Sequence, residues 1–482
     1  MSADITLLEE LHIGRPLHEV FAYVSDFASC EQWDPGVTSA RRLKAGRIGV
    51  GTRYRVVCTV GPGRLPVQYL ITEWETDKKV VLRGDCPFFT VTDTITFTQS
   101  GEGTRLDYKA EFAFKKGLAA LAGKFDSAMT KMGKRAMAGL ERALSNEFPA
   151  PKSSTGNRLA DKWVLPGMAL FTRAGYRLAK SRWHPLASYL GDKHIVLTGS
   201  TSGIGLAAAE RLAAMGAQLT LVARNQQKAT ELAKRISRDT GNENIKTEIA
   251  DLASLSDVHV LADRLLKNKR PIDVLVNNAG ALINPRQTSA EGLEKSFALL
   301  LLSPFTLTER LQPLLKKAGA ARVVNVVSGG MYSQRLDVDD LQNKRGKYSG
   351  SVAYAKAKRG LVIVTEQWAD KWAEEGIVVN SMHPGWADTP GVESSLPMFH
   401  RLTKPFLRTP AEGADTIVWL AAAAEASEVS GQLFLDREPH TTHVLASTKE
   451  TEHDRAQLRD RLLEYMESFQ PARRSKRKTT AA

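Results

Sequence analysis

From His194 onward the chain repeats one unit, a short apolar run followed by a stretch of helical periodicity. The apolar runs are Ile195-Val-Leu-Thr-Gly199, Leu219-Thr-Leu-Val-Ala-Arg224, Ile245 to Leu252, Asp273-Val-Leu-Val-Asn-Asn-Ala-Gly280, Arg322-Val-Val-Asn-Val-Val-Ser328, Gly376 to Gly385 and Gly431-Gln-Leu-Phe-Leu-Asp436. Runs this short and this apolar read as strands covered on both faces. With helices between them they predict a parallel sheet packed between helix layers, the α/β doubly wound architecture.

That unit does not use up the chain. At 482 residues it exceeds the ~250–300 at which one core stops growing, so a second domain is expected. Residues 4 to about 100 supply β-like runs: Tyr54 to Val60, Val67 to Trp74, Lys79 to Arg83, Thr90 to Phe97 and Thr104 to Phe112, broken by turns such as Gly61-Pro-Gly63. Pro16 to Asp26 reads as a short helix, and Leu118 to Leu144 as a long one with Leu121, Phe125, Met129, Met132, Ala136 and Leu140 at three- and four-residue steps. The expected division is 1–148, a linker at 149–190 with a basic amphipathic helix, 191–447, and 448–482 as a C-terminal helix and basic tail.

Charge separates the function classes. Of the net +13, the segment 151–190 contributes +6 and the tail from Pro471 contributes +5, so the two folded parts are close to neutral. This argues against nucleic-acid binding and leaves open a peripheral membrane contact through residues 163–183 and the tail. Cys30, Cys58 and Cys86 have no C-x-x-C spacing, so neither a disulfide framework nor a metal site is expected. No apolar run approaches the ~18 residues of a spanning helix, and the N-terminus lacks signal-peptide character; a cytoplasmic location is the expectation, with membrane-peripheral contact as its variant.

The chemistry lies where strands end. Thr198 to Gly205 follows an apolar strand and opens a helix, so Gly199, Ser202, Gly203, Ile204 and Gly205 form a phosphate-binding turn. The second strand ends in Arg224, where an acid would hold a ribose hydroxyl; an arginine suits a 2′-phosphate, which favours NADP over NAD. Asp251 and Leu252 sit where adenine is contacted, and Asn278, Ala279 and Gly280 close the next strand beside the cofactor. Tyr354 and Lys358 are one helical turn apart, and an ammonium there favours the phenolate of a neighbouring tyrosine; Lys356 faces elsewhere and reads as a solvated charge.

Two resemblances add to this. The order of elements in residues 1–148, with the entry Ile13-Gly-Arg-Pro-Leu-His-Glu-Val-Phe-Ala-Tyr-Val-Ser-Asp26 and Trp33-Asp-Pro-Gly36, resembles the α+β helix-grip fold of the START-like and polyketide-cyclase-like superfamily. It implies a cup for an apolar molecule between sheet and long helix. No acid/base pair stands out there, and His12 and His18 read as surface or packed histidines. The glycine turn, Asn277-Asn-Ala-Gly280, Ser328 and Tyr354-x-x-x-Lys358 resemble the short-chain dehydrogenase/reductase family. Ser381 to Val392 and Ser328-Gly-Gly-Met331 resemble, within it, the subgroup called dehydrogenase/reductase SDR family member 12, related to retinol dehydrogenases.

The second resemblance implies that Tyr354 is the acid/base, that Lys358 lowers its pKa and holds the nicotinamide ribose, and that Ser328 hydrogen-bonds the substrate oxygen. Pro384, Gly385 and Thr389 match the loop that meets the nicotinamide, and the 26 residues from Ser328 to Tyr354 imply a loop inserted over the site. One position departs: Leu300 stands where members place an asparagine that helps hold a water linking the lysine to solvent. The expectation is an NADP-dependent oxidoreductase interconverting alcohol and carbonyl on a small hydrophobic (lipid-, steroid- or polyketide-like) substrate captured by the N-terminal domain, with a homodimer left open. The alternative is a cofactor-binding, catalytically weak lipid-binding or scaffold protein.

Overall fold

The computed structural model describes residues 4–44, 46–60, 63–115, 122–145, 148–161, 169–395 and 397–469. The N-terminal domain is an antiparallel sheet of seven strands, β1 (Ile5–Ile13), β2 (Val37–Arg42), β3 (Arg53–Val60), β4 (Gly63–Glu75), β5 (Lys79–Asp85), β6 (Phe89–Ser100) and β7 (Gly103–Phe114), in the order β1-β7-β6-β5-β4-β3-β2. The period-2 pattern sets its two faces. In β6, Val91, Ile95 and Phe97 are buried while Thr92, Thr94 and Thr96 between them are half-exposed. The Leu17–Ser25 helix and the Ala122–Ser145 helix close the buried face, the latter through Ala136, Met137, Leu140, Ala143 and Leu144.

The sequence reading found five of these strands, β3 to β7, and both helices; β1 and β2 were not among its runs, and the burial pattern of β2 lacks a clean alternation. Part of the expected long helix, residues 118–121, lies outside the described residues.

The second domain carries β8 (His194–Thr198), β9 (Gln218–Ala223), β10 (Ile245–Ile249), β11 (Val274–Asn277), β12 (Ala321–Val326), β13 (Ile377–Met382), β14 (Leu433–Leu435) and β15 (Glu438–His440). Their order is β10-β9-β8-β11-β12-β13-β14-β15, parallel except for the last pair. The order reverses between β8 and β11, so the strands' carboxyl ends open a crevice there. The Glu452–Ser468 helix packs on this domain, with Leu458 and Leu462 in its core and Tyr465 bonded to Gln342 of the inserted loop at 2.9 Å.

The segment between the domains is packed. Asn157 of the Thr155–Ala160 helix donates to Glu438 at 2.7 Å, and Asp161 accepts from the Thr441 backbone at 3.0 Å. The amphipathic helix spans Arg173–Lys180 and buries Tyr176 and Ala179, whereas Ala174 and Leu178 are exposed. Two of its three cations are paired, Arg173 with Glu412 at 2.9 Å and Lys180 with Glu31 of the N-terminal domain at 2.7 Å. Residues 163–168 and the basic tail from Pro471 lie outside the described residues. The N-terminal domain leans on this segment through Leu186 N–H to Gln32 at 2.9 Å and Arg15 to the Ala187 carbonyl, and touches the second domain at Asp239, whose carbonyl accepts from Gly46 N–H at 2.9 Å. His18 packs edge-on to Tyr189, and His12 pairs with Glu10 at the surface.

Candidate active site

Close approach shapes the glycine turn. Gly199 has φ +68°, and a Cβ there would stand 2.7 Å from the Ala279 Cα; one on Gly205 would stand 2.2 Å from the Gly199 carbonyl oxygen. Asn278 produces the crowding, its Nδ2 donating to the Thr198 and Gly199 carbonyls at 2.9 and 3.1 Å. The Thr198 hydroxyl accepts from the Asn278 and Ala279 backbones at 3.0 Å each and donates to the Val276 carbonyl at 3.1 Å. The ends of β8 and β11 are thereby laced together at the switch point.

Ser202 precedes the Gly203–Ala214 helix without capping it, which leaves first-turn N–H groups for an anion. Ser200 is buried with its Oγ unpartnered, and Thr389 lies over the turn, its Cγ2 3.2 Å from where a Gly203 Cβ would be. A cradle closed to any Cβ, with unused donors inside it, fits a dinucleotide pyrophosphate. Ile204 serves through its backbone, since its side chain packs towards Gly413.

Around this turn the structure gathers the other expected positions. Arg224 ends β9 exposed and, among the described residues, makes no hydrogen bond or ion pair, so its guanidinium is free to meet a phosphate; Asn225 beside it caps the next helix through the Lys228 N–H at 2.9 Å. Asp251 is exposed and ties its own turn by accepting from Ala253 N–H at 3.0 Å, with Leu252 buried beside it. Gly280 approaches Lys358, whose Nζ lies 3.9 Å from where a Gly280 Cβ would stand. Asn277 points the other way, into a buried network with Thr308 and Asn325 at 2.9 and 2.8 Å.

Ser328 follows β12, and Tyr354 and Lys358 lie on the Gly350–Lys371 helix. The Ser328 hydroxyl sits close enough to the Tyr354 phenol to lower its pKa, and Lys358 Nζ lies 5.9 Å from the phenol ring centre. Lys358 donates to the Val326 carbonyl at 2.6 Å. Burial pushes Tyr354 up to about 12, with Ser328 pulling the other way, and brings Lys358 down to about 7. Desolvation therefore works against the expected phenolate, raising Tyr354 rather than lowering it.

Leu300 contributes to that desolvation. It is buried in a π-helical turn, Ala298–Leu302, between the Lys295–Phe297 and Ser303–Ala318 helices, and its Cδ2 and Lys358 Nζ flank the same point, 3.1 and 3.9 Å from a Gly280 Cβ position. Leucine places no polar side chain in this π-helical turn. Lys356, read as a solvated charge, instead pairs with Asp337 of the inserted loop at 3.1 Å and fastens that loop to the Tyr354 helix.

A family model described as short chain dehydrogenase matches residues 193–398, and one described as polyketide cyclase / dehydrase and lipid transport matches residues 5–146. Over 289 residues, 59% of this chain and 90% of the relative, the sequence is 39% identical to human dehydrogenase/reductase SDR family member 12. The chain belongs to the short-chain dehydrogenase/reductase family. It is also 33% identical to human polyprenol dehydrogenase, covering 54% of this chain and 81% of that one, and 30% identical to human retinol dehydrogenase 13, covering 57% and 86%. As a member of this family the chain is an oxidoreductase using a nicotinamide cofactor, with a polyketide-cyclase-like domain fused ahead of it.

Sequence reasoning missed one wall of this dehydrogenase site. Phe171, from the segment between the domains, lies with its Cε2 2.8 Å from where a Cβ on Gly329 would stand, next to Ser328, and meets the His383 ring edge-on at 4.6 Å. Arg408 holds it there. Buried and paired to both carboxylate oxygens of Asp436 at 2.6 and 2.8 Å, Arg408 also donates to the Leu170, Phe171 and Thr172 carbonyls at 2.5, 3.1 and 3.2 Å and to Pro384 at 3.3 Å. Gly385, at φ +69°, is required by this clamp, because a Cβ would fall 2.6 Å from Arg408 Nε. No local pattern marks Phe171, which lies 157 positions before Ser328.

Proposed function

We propose that this chain is an NADP(H)-preferring reductase/dehydrogenase that interconverts a carbonyl and an alcohol on a small hydrophobic molecule, which its N-terminal domain captures. The observation that carries the reading is the half-buried Tyr354 with Ser328 beside it and Lys358 one turn on, at the rim of the glycine-turn crevice. Ser328 and Tyr354 bind the substrate oxygen, and Tyr354 gives it a proton as a carbonyl is reduced. Lys358 holds the ribose side of the crevice and returns a proton towards the phenol. The nicotinamide, when bound, supplies or accepts the hydride. Phe171, with Trp386 6.0 Å from it between ring centres, gives the substrate an apolar wall. Free Arg224 meets the 2′-phosphate, which supports NADP over NAD.

Consumption of NADPH and of NADH with a panel of apolar ketones tests this directly. The expected result is turnover with NADPH at the lower KM; no turnover with any ketone, alongside tight cofactor binding, would favour a catalytically weak binding protein, a reading that Leu300 beside Lys358 supports. Capture has its own test. A shortened chain starting at Trp163 keeps Phe171 and is expected to bind NADP; its KM for a water-insoluble ketone should rise several-fold while that for a small soluble ketone stays level. Equal KM values for the insoluble ketone in both chains would leave the N-terminal domain no part in capture.

A further inference from the structure

The buried face of the N-terminal sheet is apolar except near its middle. Asp93 points inward from β6 between Val91 and Ile95, and only 3% of its surface is exposed. Two phenols approach it from other strands, Tyr69 of β4 and Tyr108 of β7, and both lower its pKa. Gly84 of β5 makes the first approach feasible. A Cβ there would lie 2.7 Å from Tyr69 Cε1 and 2.6 Å from Val91 Cγ1, so the tyrosine ring crosses β5 over the missing side chain.

The cluster is not self-satisfied. Asp93 Oδ2 is buried without a hydrogen-bond partner. Each such atom costs about 1–3 kcal/mol, more for a charged group, and an apolar side chain of the same size would remove that cost. Burial pushes Asp93 up to about 7 even though both phenols pull it down. The groups that share its interior, Asp34, Cys30 and Cys58, are acids. Burial holds both thiols protonated, and no cation among the described residues acts on Asp93, so Asp34 and Asp93 disfavour an anionic ligand; burying a neutral hydroxyl costs less than burying an ammonium.

We propose that Asp93, Tyr69 and Tyr108 form the polar anchor of a ligand site inside the N-terminal domain, and that its ligand is an apolar chain or ring system bearing one hydroxyl group, which donates to Asp93 Oδ2. This rests on the capture role proposed above and gives it a chemistry, because an alcohol is one of the two forms that the catalytic domain exchanges.

The test uses the full chain without dinucleotide, titrated with pyrene-labelled dodecanol, dodecane and dodecylamine and followed by pyrene fluorescence. The wild type should bind the alcohol about tenfold more tightly than the hydrocarbon, the scale of one hydrogen bond to a charged group. Asp93→Leu should bring that ratio close to unity, and Asp93→Asn, which keeps the shape, should lower it several-fold; melting curves establish that each variant is folded. A wild-type ratio of one, a ratio unchanged in either folded variant, or tighter binding of the amine overturns the proposal. Wild-type turnover of a small soluble ketone is measured separately. An alcohol preference without turnover leaves the anchor standing and removes the reductase reading.

Discussion

Both domains set a half-buried tyrosine beside a titratable group, and they assemble it in opposite ways. In the parallel-sheet domain Tyr354 and Lys358 are one turn apart on one helix, and Ser328 comes from the adjoining strand end. In the antiparallel domain Asp93, Tyr69 and Tyr108 sit on three strands and meet only through register, Tyr69 opposite Gly84, and Asp93 opposite Leu82 and Ala110. A doubly wound sheet delivers chemistry at strand ends, where a few consecutive residues form each part of the site. A curved antiparallel sheet delivers it from alternate residues on its buried face, so polar groups there are isolated in sequence and hidden in an apolar pattern.

If chemistry belongs to the first site and binding to the second, Tyr354→Phe should have the largest effect. Turnover should fall at least about a hundredfold, the low end for loss of a general acid, with the NADP dissociation constant unchanged. Retention of a tenth or more of kcat would break the comparison by removing Tyr354 from the proton path.

Arg408→Ala should be next. It strips Asp436 of its buried partner and frees the Leu170–Thr172 carbonyls, so the denaturation midpoint should report a loss of about 3–5 kcal/mol, and KM for bulky ketones should rise as Phe171 leaves Gly329. A stable variant with unchanged KM would mean that the segment between the domains is only a tether.

Arg224→Asp should reverse the order of the NADP and NAD dissociation constants, by repelling the 2′-phosphate and offering an acceptor to the free hydroxyl. An unchanged order would assign the choice of cofactor to another residue.

The smallest effect belongs to Leu300→Asn. An amide beside Lys358 relieves desolvation, which raises the pKa of a cationic group, so an NMR titration of the Lys358 ammonium in cofactor-free protein should move its midpoint upward from about 7. If proton relay limits turnover, kcat rises a few-fold with it. A midpoint that stays in place would show that Leu300 does not set the lysine's environment.

Legibility follows from how each part is built. Gly199, Gly205, Asn278, Tyr354 and Lys358 could be read because their geometry is local: a turn that excludes Cβ atoms, and a helix that repeats every turn. Leu300 was legible as a departure from a pattern, although its π-helical turn was not. Arg224 was legible by its place at the end of β9. The pairing of Lys356 with Asp337 was not, since the loop's path decides it.

The sequence by itself determined the α/β order of the second domain, the antiparallel character of the first and the crevice where a dinucleotide fits, because strand burial, glycine turns and helical spacing are short-range properties. Only the tertiary structure decided that Phe171 lies beside Ser328, that desolvation raises Tyr354 to about 12 and brings Lys358 down to about 7, and that Asp93 meets two phenols inside the N-terminal sheet. These depend on which distant residues exclude water from a group, and desolvation is set by the whole fold around it rather than by its neighbours in the chain.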